Sequence, residues 1–297
     1  MGRAHPFFSV IVPTYERSRQ LFVCLRALAC QNYPRDRFEV LVVDDGSTIS
    51  PRAIVRPFRD QLNIRLLTQL HAGPAAARNH GATYARGTFL AFTDDDCAPG
   101  PNWLQALAAS FVFFPDCALG GRTVNGAADN PYATTSQLVI DYLYACYNTA
   151  ERATFLTSNN LAFPAERFRT IGGFDAAWKR AAGEDRELCD RWITHGYRMV
   201  YIPDAVVEHI PCLTWRAFCR QHFNYGRGAF YFRRVRARCQ RGSGTLEPAS
   251  FYLGILRYPF SQARAGKALR LSALALGAQA VHAAGFFWEG AKSSRRD

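Results

Sequence analysis

Lysine is scarce in this sequence, and its absence from the first half argues against one class of nucleotide site. The chain of 297 residues contains three lysines, of which the first is Lys179. Nucleotidyltransferases usually place a glycine-rich phosphate loop with a lysine near the N-terminus, and none is present here. No basic region followed by an apolar region opens the chain either, so we expect no signal peptide.

Paired cysteines are also missing. The nine cysteines include no CxxC pair and follow no regular spacing. This arrangement argues against a disulfide framework and indicates a reducing compartment such as the cytoplasm. A zinc site built from Cys212, Cys219, Cys239 and His222 stays open as an alternative, although their spacing matches no common zinc motif.

Acidic residues nearly disappear from the end of the chain. Residues 1–211 contain 21 basic and 21 acidic side chains, whereas residues 212–297 contain 15 basic and 3 acidic ones. The whole net charge of +12 therefore belongs to residues 212–297. Such a segment favours an anionic partner, either nucleic acid, membrane phospholipid or a phosphorylated substrate. The alternative is a basic face that only contacts solvent.

Strand and helix signals alternate along the first two hundred residues. Buried-type apolar runs predict four strands, at 9–14, 39–47, 62–69 and 88–93. Helical spacing at 17–31, 73–87 and 103–111 separates or follows them. This alternation predicts an α/β fold with a Rossmann-like, mostly parallel sheet flanked by helices. In such sheets ligands bind beyond the carboxyl ends of the strands.

The next segment, 116–180, is less regular. We predict a helix at 135–150 and a strand at 156–164. A second helix at 183–196 begins with two acids, Glu184 and Asp185, at the positive end of the helix dipole. A strand at 199–209 follows.

Aromatic and arginine side chains fill the segment 214–241, which predicts an amphipathic helix on a membrane surface. The aromatic side chains expected in the interface are Phe218, Phe223, Phe230, Tyr231 and Phe232. The arginines expected at lipid phosphate are Arg216, Arg220, Arg227, Arg233, Arg234, Arg236 and Arg238. The alternative is that the aromatics pack against the sheet. Apolar stretches at 251–260 and 269–288 follow, and the second is long enough to cross a bilayer but rather polar.

Three carboxylates in a row, in FTDDDC at 92–97, follow the fourth predicted strand. Adjacent carboxylates repel each other unless a cation neutralises them. Mg²⁺ or Mn²⁺ binds one or two carboxylates and takes its remaining ligands from water and substrate phosphates. Asp94, Asp95 and Asp96 therefore predict a metal site that holds a diphosphate, with a helix cap or a turn as the alternative.

Two further acids, Asp44 and Asp45, end the second predicted strand. A carboxylate at this place binds a ribose hydroxyl in dinucleotide folds. A turn before Gly46 is the equal alternative. Arg78 in the second predicted helix, 73–87, pairs either with phosphate or with the acids.

Six segments in this order resemble family 2 inverting glycosyltransferases with the GT-A fold. They are VIVPTYER at 10–17, VVDDGS at 42–47, GPAAARNHG at 73–81, FTDDDC at 92–97, GGFD at 172–175 and GEDRELCDR at 183–191. One segment alone would be weak, but the ordered set is specific. The region 209–230 also resembles the tail of many bacterial members.

The resemblance implies a GT-A catalytic domain at 1–211, with a nucleotide-sugar half at about 1–97 and an acceptor half at about 98–211. A helical, membrane-associated tail at 212–297 would follow. The implied enzyme is cytoplasmic, and peripheral or monotopic at the inner face of the plasma membrane. Its donor would be a nucleotide-diphosphate sugar, by default a UDP sugar, and its acceptor a glycan or a lipid-linked glycan. The QxxRW motif of processive members is missing, which favours single additions.

Residue roles follow from the same resemblance. The nucleotide- and donor-binding positions would be Pro13, Thr14, Tyr15, Arg17, Asp44, Asp45, Arg78, Asp94 and Asp95. Asp96 matches the last acid of the DxD motif and would bind Mn²⁺ or Mg²⁺, with His209 completing the site. Asp185 would be the catalytic base, with Glu184 as the neighbour able to share that role. Asn160, Gly173 and Trp178 would lie at the junction of donor and acceptor.

Two other functions compete with this hypothesis. A nucleic-acid-binding protein would use the basic, aromatic segment after residue 212. The acidic strand ends argue against it, because they repel phosphate in the absence of a metal, and we therefore expect no nucleic acid partner. The second competitor is a glycosyltransferase-like scaffold that has lost its activity, which the complete set of motifs disfavours.

Overall fold

A computed structural model of the chain describes residues 5–149, 152–178, 182–239 and 247–293. Eight strands in this part of the chain form one sheet. They are β1 (Phe8–Thr14), β2 (Phe38–Asp44), β3 (Ile64–Thr68), β4 (Phe89–Phe92), β5 (Cys97–Pro99), β6 (Ala118–Asn125), β7 (Leu161–Pro164) and β8 (Met199–His209).

Ten α-helices cover the described part of the sheet and continue past it. They are α1 (Ser18–Ala29), α2 (Arg52–Val55), α3 (Pro74–Tyr84), α4 (Trp103–Phe113), α5 (Pro131–Tyr147), α6 (Ala165–Thr170), α7 (Glu184–Thr194), α8 (Trp215–Arg238), α9 (Ala249–Gln262) and α10 (Ala265–Ser293). The last three form a helical C-terminal extension.

The strand order is β3-β2-β1-β4-β7-β6-β8-β5. The first four strands are parallel, whereas β7 pairs antiparallel with both β4 and β6. Strand β8 is parallel to β6 and antiparallel to β5. The predicted α/β class with a mostly parallel sheet and a helical extension is confirmed. Because Thr14 pairs with Asp44 and Ile11 with Phe92, the carboxyl ends of β1, β2 and β4 meet at one edge.

Helices pack on both faces of the sheet, so its central strands are buried and mostly apolar. Every residue of β1 and β2 is buried, as is typical of parallel strands covered on both sides. Helix α3 lies close to the strands because its small side chains leave room. A Cβ on Gly81 of α3 would lie 2.6 Å from Cγ2 of Ile11. This close packing fixes Arg78 of α3 beside the sheet edge.

The structure corrects one strand and extends one helix. Only Leu161–Pro164 of the predicted strand 156–164 is extended, because residues 158–160 form a 3-10 turn. That turn buries Asn160, whose side chain donates to the carbonyls of Arg122 and Ala205. The predicted helix 135–150 begins earlier, at Pro131, where Asn130 caps it. Its predicted end, at residue 150, lies outside the described residues.

Helix α8 confirms the predicted helix at 214–241, apart from residues 240 and 241, which lie outside the described residues. The prediction that the aromatic side chains of this helix enter a membrane is wrong for the two that are buried. Phe218 and Phe232 are 1% and 8% exposed, because α8 packs against the rest of the protein. The other aromatics contact protein partners: Phe223 on Trp288, Phe230 on Phe286 and Tyr231 on Trp178. The alternative of packing within the protein therefore holds for Phe218 and Phe232, but the surface that α8 covers is formed mainly by helices α10, α7 and α5 and not by the sheet.

Some of the arginines assigned to lipid are engaged inside the protein. Arg227 is 5% exposed, and its Nε lies 2.5 Å from Oε2 of Glu289 on α10. Arg236 lies 3.4 Å from Oδ1 of Asp190 on α7. The assignment of Arg227 to lipid phosphate is therefore wrong, since its guanidinium stabilises the packing of α8 on α10.

Candidate active site

The turn after β4 directs its three carboxylates at three different partners. Asp94 accepts from Arg78 Nη2 at 2.7 Å, and Asp95 accepts from Thr14 Oγ1 at 2.8 Å. Asp96 Oδ1 lies 3.6 Å from His209 Nε2. His209 reaches this place because β5 and β8 pair so that Cys97 is opposite His209. The sheet therefore brings together residues that the sequence separates by more than a hundred positions.

Arg17 bridges two of these carboxylates. Its Nη1 lies 3.2 Å from Asp95 Oδ1 and 3.0 Å from Asp96 Oδ2. The side chain of Arg17 is 52% exposed, whereas those of Asp95 and Asp96 are 4% and 15% exposed. The guanidinium thus neutralises like charges that would otherwise repel each other at the sheet edge.

The carboxylates differ in their protonation. Burial and the charge of Asp96 raise the pKa of Asp95 to about 7. Burial opposes ionisation of Asp96 too, but the hydrogen bond and charge of His209 lower the pKa of Asp96 to about 2. The pKa of His209 is raised against the effect of burial, because it contacts Asp96. Asp96 is therefore ionised at any physiological pH, as a metal ligand must be.

The donor set of this site suits a divalent cation that is shared with a substrate. Asp96 offers carboxylate oxygen and His209 imidazole nitrogen, both of which bind Mn²⁺. In the described part of the chain, no three His, Cys, Asp or Glu side chains gather as a closed metal site. This holds for the zinc alternative as well, where His222 instead contacts Ser136 Oγ at 3.1 Å. The residues fit an open site whose other ligands come from a diphosphate and water.

The two acids at the end of β2 accept hydrogen bonds from the loops that follow β2 and β3. Asp45 is 3% exposed and accepts from Gln69 Nε2 at 2.7 Å and from Gly73 N at 2.8 Å. Asp44 accepts from Ser47 N at 3.0 Å. Asp44 therefore shapes the turn after β2 and Asp45 fixes the loop after β3, and their contact with a nucleotide stays a prediction.

An exposed aromatic pair lies beside this loop. The ring of Tyr15 is stacked on His71 with centroids 4.2 Å apart, and Tyr15 is 43% exposed. Nδ1 of His71 lies 3.0 Å from Oδ2 of Asp45. His71 was not predicted from the sequence, because no motif marks it and only the fold brings it to Tyr15. Pro13 and Thr14 precede the pair at the end of β1.

Arg78 connects the turn that carries Asp94, Asp95 and Asp96, which we call the acid turn, to the start of α7. It is 3% exposed and donates from Nη2 to Asp94 and from Nη1 to Glu184 Oε1, at 2.7 and 3.1 Å. Its guanidinium also lies over the ring of Phe174, 5.3 Å from the centroid. Arg78 therefore pairs with the acids, which was one of its two predicted roles.

Glu184 and Asp185 occupy the first turn of α7 but differ in their surroundings. Glu184 is 4% exposed and accepts from Arg78 and from Ala182 N. Asp185 is partly exposed and accepts from Arg186 N at 2.8 Å. Burial and the charge of Glu184 raise the pKa of Asp185 to about 7. Asp185 has the pKa of an effective general base at neutral pH, whereas Glu184 is committed to Arg78.

The three residues predicted at the junction of donor and acceptor are all packed inside the protein. Asn160 is 1% exposed and accepts from Trp103 Nε1 at 2.9 Å. Gly173 has a φ of +68°, and a Cβ there would lie 2.5 Å from Oδ1 of Asn79. Trp178 is 9% exposed and donates to Ala182 O at 2.7 Å, next to Glu184. Their direct contact with substrate stays a prediction.

Helix α8 contributes a residue to this region that the sequence analysis missed. Burial, and then the charges of Asp185, Glu184 and Asp96, raise the pKa of Tyr225. Its hydroxyl accepts from Gln221 Nε2 at 2.7 Å. The aromatic pattern of this helix suggested a membrane contact, which concealed that Tyr225 lies near these acids.

Comparison with known proteins agrees with the geometry. Residues 9–174 match Glycosyl transferase family 2. The chain is 28% identical over 233 residues to Glycosyltransferase AglE of Haloferax volcanii, covering 75% of this chain and 73% of AglE. It is 32% identical over 223 residues to Validoxylamine A glucosyltransferase of Streptomyces hygroscopicus subsp. jinggangensis, covering 65% of this chain and 53% of that protein. The chain thus spans about half the length of some of these relatives.

Solved structures share the fold. Mannosyltransferase PcManGT from Pyrobaculum calidifontis, in complex with GDP-Man and Mn²⁺, aligns with a TM-score of 0.61 and 24% identity, over 98% of this chain and 81% of that one. S. aureus TarS 1-349 in complex with UDP-GlcNAc aligns with a TM-score of 0.55 and 22% identity, over 94% and 89% of the two chains. At these identities the likeness establishes the GT-A fold. Since the family match covers more than half of the residues, this chain belongs to glycosyl transferase family 2.

Proposed function

We propose that this glycosyltransferase is inverting and metal-dependent, and that it moves a sugar from a nucleotide-diphosphate donor to a hydroxyl of a glycan or a lipid-linked glycan. The observation that carries the proposal is Asp185. It is partly exposed, has a pKa of about 7, and is joined through Glu184 and Arg78 to the acid turn. A base and a diphosphate site are thereby held in one network.

In the proposed mechanism Asp185 removes the proton of the acceptor hydroxyl as its oxygen attacks the anomeric carbon. The bond between that carbon and the diphosphate oxygen breaks on the opposite face, which inverts the configuration. Arg17 is exposed enough to turn from Asp95 and Asp96 towards the leaving diphosphate. A divalent cation held by Asp96 and His209 would supply additional positive charge for the diphosphate.

We assign the nucleotide to the edge formed by Pro13, Thr14, Tyr15 and Asp45, within the donor half at 1–97. The exposed ring of Tyr15 offers a stacking surface for a base. A UDP sugar is the first donor to test, as UDP-GlcNAc occupies the TarS structure. A GDP sugar is the second, since GDP-Man and Mn²⁺ occupy PcManGT.

We assign the acceptor to the half at 98–211 and the reaction to the inner face of the plasma membrane. The basic segment at 212–297 supports this location, because anionic lipid attracts it. We do not assign a nucleic acid partner to this segment, because the acidic strand ends of the catalytic domain would repel its phosphates in the absence of a metal.

The test is a donor screen with purified protein, Mn²⁺ or Mg²⁺ and a panel of nucleotide sugars. Slow hydrolysis is recorded as release of nucleoside diphosphate. We expect one donor to be hydrolysed only with metal, Asp96→Asn to lose metal-dependent donor binding, and Asp185→Asn to bind the donor without turnover. Asp116→Asn is the matched control, because Asp116 is an exposed acid paired with Arg167.

Normal turnover by Asp185→Asn would show that the base is another group. Metal-independent turnover with Asp96→Asn at full activity would contradict the metal assignment. No hydrolysis and no donor binding with any nucleotide sugar, in the presence of anionic vesicles as well, would favour the inactive scaffold.

A further inference from the structure

Helix α10 presents an apolar row to the surface along most of its length. Leu269, Leu276 and Phe287 are 66%, 58% and 71% exposed. At 3.6 residues per turn their spacing places them on one side of the helix, in a row about 27 Å long. The exposed residues between Leu276 and Phe287 are alanines, and no charged side chain occurs from 271 to 288. We call this row the outer face of α10.

The opposite face of α10 is occupied by protein. A Cβ on Gly285 would collide with the carbonyl oxygen of Phe223, and one on Gly226 with that of His282. The buried pair between Arg227 and Glu289 joins the same two helices. By length and composition α10 is the one helix of the described residues that could cross a membrane, and 22% of its apolar window is buried. Crossing would force Arg227 and Glu289 of this interface towards lipid, at a large cost.

Exposed cations surround the start of the outer face. Arg264, Lys267 and Arg270 are all exposed at the beginning of α10. No acidic residue occurs between Glu247 and Glu289. Helix α9, which packs on α10, adds exposed apolar side chains at Leu253 and Phe260, each 51% exposed. A second copy of this chain would carry the same positive charge to the contact, whereas anionic lipid would neutralise it.

We propose that the outer face of α10 lies in the surface of an anionic bilayer, parallel to the membrane. Leu269, Leu276 and Phe287 enter the boundary between headgroups and acyl chains, and Arg264 and Lys267 contact lipid phosphate. This replaces the arginine-rich helix α8 as the membrane contact, because α8 lies on the protein side of α10. The proposal concerns where the protein attaches and is independent of which sugar is transferred.

The test is co-sedimentation of the full chain with vesicles of phosphatidylcholine, with and without phosphatidylglycerol. We expect binding to phosphatidylglycerol vesicles that weakens at high salt. The double variant Leu276→Asn with Phe287→Asn should bind these vesicles at least about tenfold more weakly. Its outer face no longer has the large apolar side chains whose burial in lipid favours binding. Leu70→Asn is the control, since Leu70 is 92% exposed but lies far along the chain from α10. Changing Arg264, Lys267 and Arg270 together to Gln should remove the preference for phosphatidylglycerol.

Any one of four results would overturn the proposal. The wild-type chain would ignore phosphatidylglycerol vesicles at low salt, or the double variant would bind as the wild type does. Light scattering would show that the wild-type chain is a dimer and the double variant a monomer, which assigns the outer face to contact with a second copy. Membrane-bound protein would resist extraction by alkaline carbonate, which indicates a spanning helix. Donor hydrolysis without vesicles, measured on the same preparations, separates a failed attachment from a failed enzyme.

Discussion

Two arginines divide the carboxylates of the active site between them. Arg17 contacts Asp95 and Asp96 from an exposed position, and Arg78 contacts Asp94 and Glu184 from a buried one. The guanidinium of Arg17 is itself open to water, but Asp95 and Asp96 are only 4% and 15% exposed, so it can leave them when another cation takes over its charge. The buried guanidinium cannot, because its loss would leave a carboxylate uncompensated away from water. Arg17 is thus suited to respond to ligands, and Arg78 to hold the site together.

Replacing Arg78 by methionine should lower the free energy of unfolding by about 3–5 kcal/mol, since it leaves Glu184 buried and unpaired. Urea unfolding measures this change. Arg37→Met is the control, because Arg37 and Asp36 form an exposed pair 3.8 Å apart. Loss of that pair should change the stability by about 1 kcal/mol or less. Equal effects of the two substitutions would contradict the structural role of Arg78.

The pH dependence of turnover should follow Asp185. Its carboxyl must be ionised to accept a proton, so activity should rise with pH through about 7. Because burial and the charge of Glu184 both raise this pKa, Glu184→Gln should move the rising limb to lower pH. The measurement is kcat against pH for both proteins with saturating donor. An unchanged limb in the variant would mean that another group titrates.

Glycine allows two helices to touch where the catalytic turn begins. Gly183 precedes α7 with a φ of +87°, and a Cβ there would lie 2.9 Å from the carbonyl oxygen of Gly228 on α8. Close by, Trp178 is stacked on Tyr231 of α8 with centroids 4.7 Å apart, and Tyr231 donates to Asp175 Oδ2 at 2.5 Å. Helix α8 therefore supports the turn that carries Glu184 and Asp185.

Gly228→Ala should slow turnover about 10- to 100-fold, because the added methyl group displaces the turn of Asp185 from its reacting position. Donor affinity should change little, since the acid turn is elsewhere. Gly277→Ala in α10 is the matched control, because no atom lies within 4 Å of a Cβ at that position. The measurements are kcat by steady-state assay and donor affinity by calorimetry. If Gly228→Ala turned over as fast as Gly277→Ala, helix α8 would not be needed to position the turn of Asp185.

Elements were predictable where local pattern decides them, and contacts were not. The mostly apolar runs of β1 and β2 and the spacing of α7 identify their structure directly. Segment 156–164 was not predictable, since the distant carbonyls of Arg122 and Ala205 draw Asn160 into a turn. An aromatic row marks a covered face, but whether lipid or protein covers it depends on the tertiary fold. The motifs likewise located Asp96 and Asp185, whereas Tyr225 became visible only through the packing of α8.

A buried histidine of the helical extension contacts the rest of the molecule. His222 of α8 is 2% exposed and contacts Ser136 of α5. Burial, and then the charge of His282, lower the pKa of His222 to about 4. Burial and two arginines, Arg186 and Arg233, lower the pKa of His282 of α10 to about 4 as well. Both rings are therefore neutral in the folded protein at neutral pH.

Acid should loosen the whole fold through these rings. Below a pH of about 6.5 the unfolded chain binds protons that the folded chain refuses until about pH 4, so stability is complete above this window and falls within it. Each histidine should contribute a slope of up to about 1.4 kcal/mol per pH unit. Urea unfolding between pH 4 and 7 measures this slope. It should be shallower in His222→Gln, and an equal slope in the variant would exclude His222 as a source.

The contact between Gly183 and Gly228 also bears on how such enzymes can be recombined. Neither glycine can be replaced by a residue with a side chain unless the backbone on the other side of the contact moves. A chimera that takes its catalytic portion from one relative and its terminal helices from another would inherit the two halves of this contact from different parents. We expect such grafts to work only when both parents carry glycine at both places, so the extension is inherited with the catalytic turn and is not an exchangeable module.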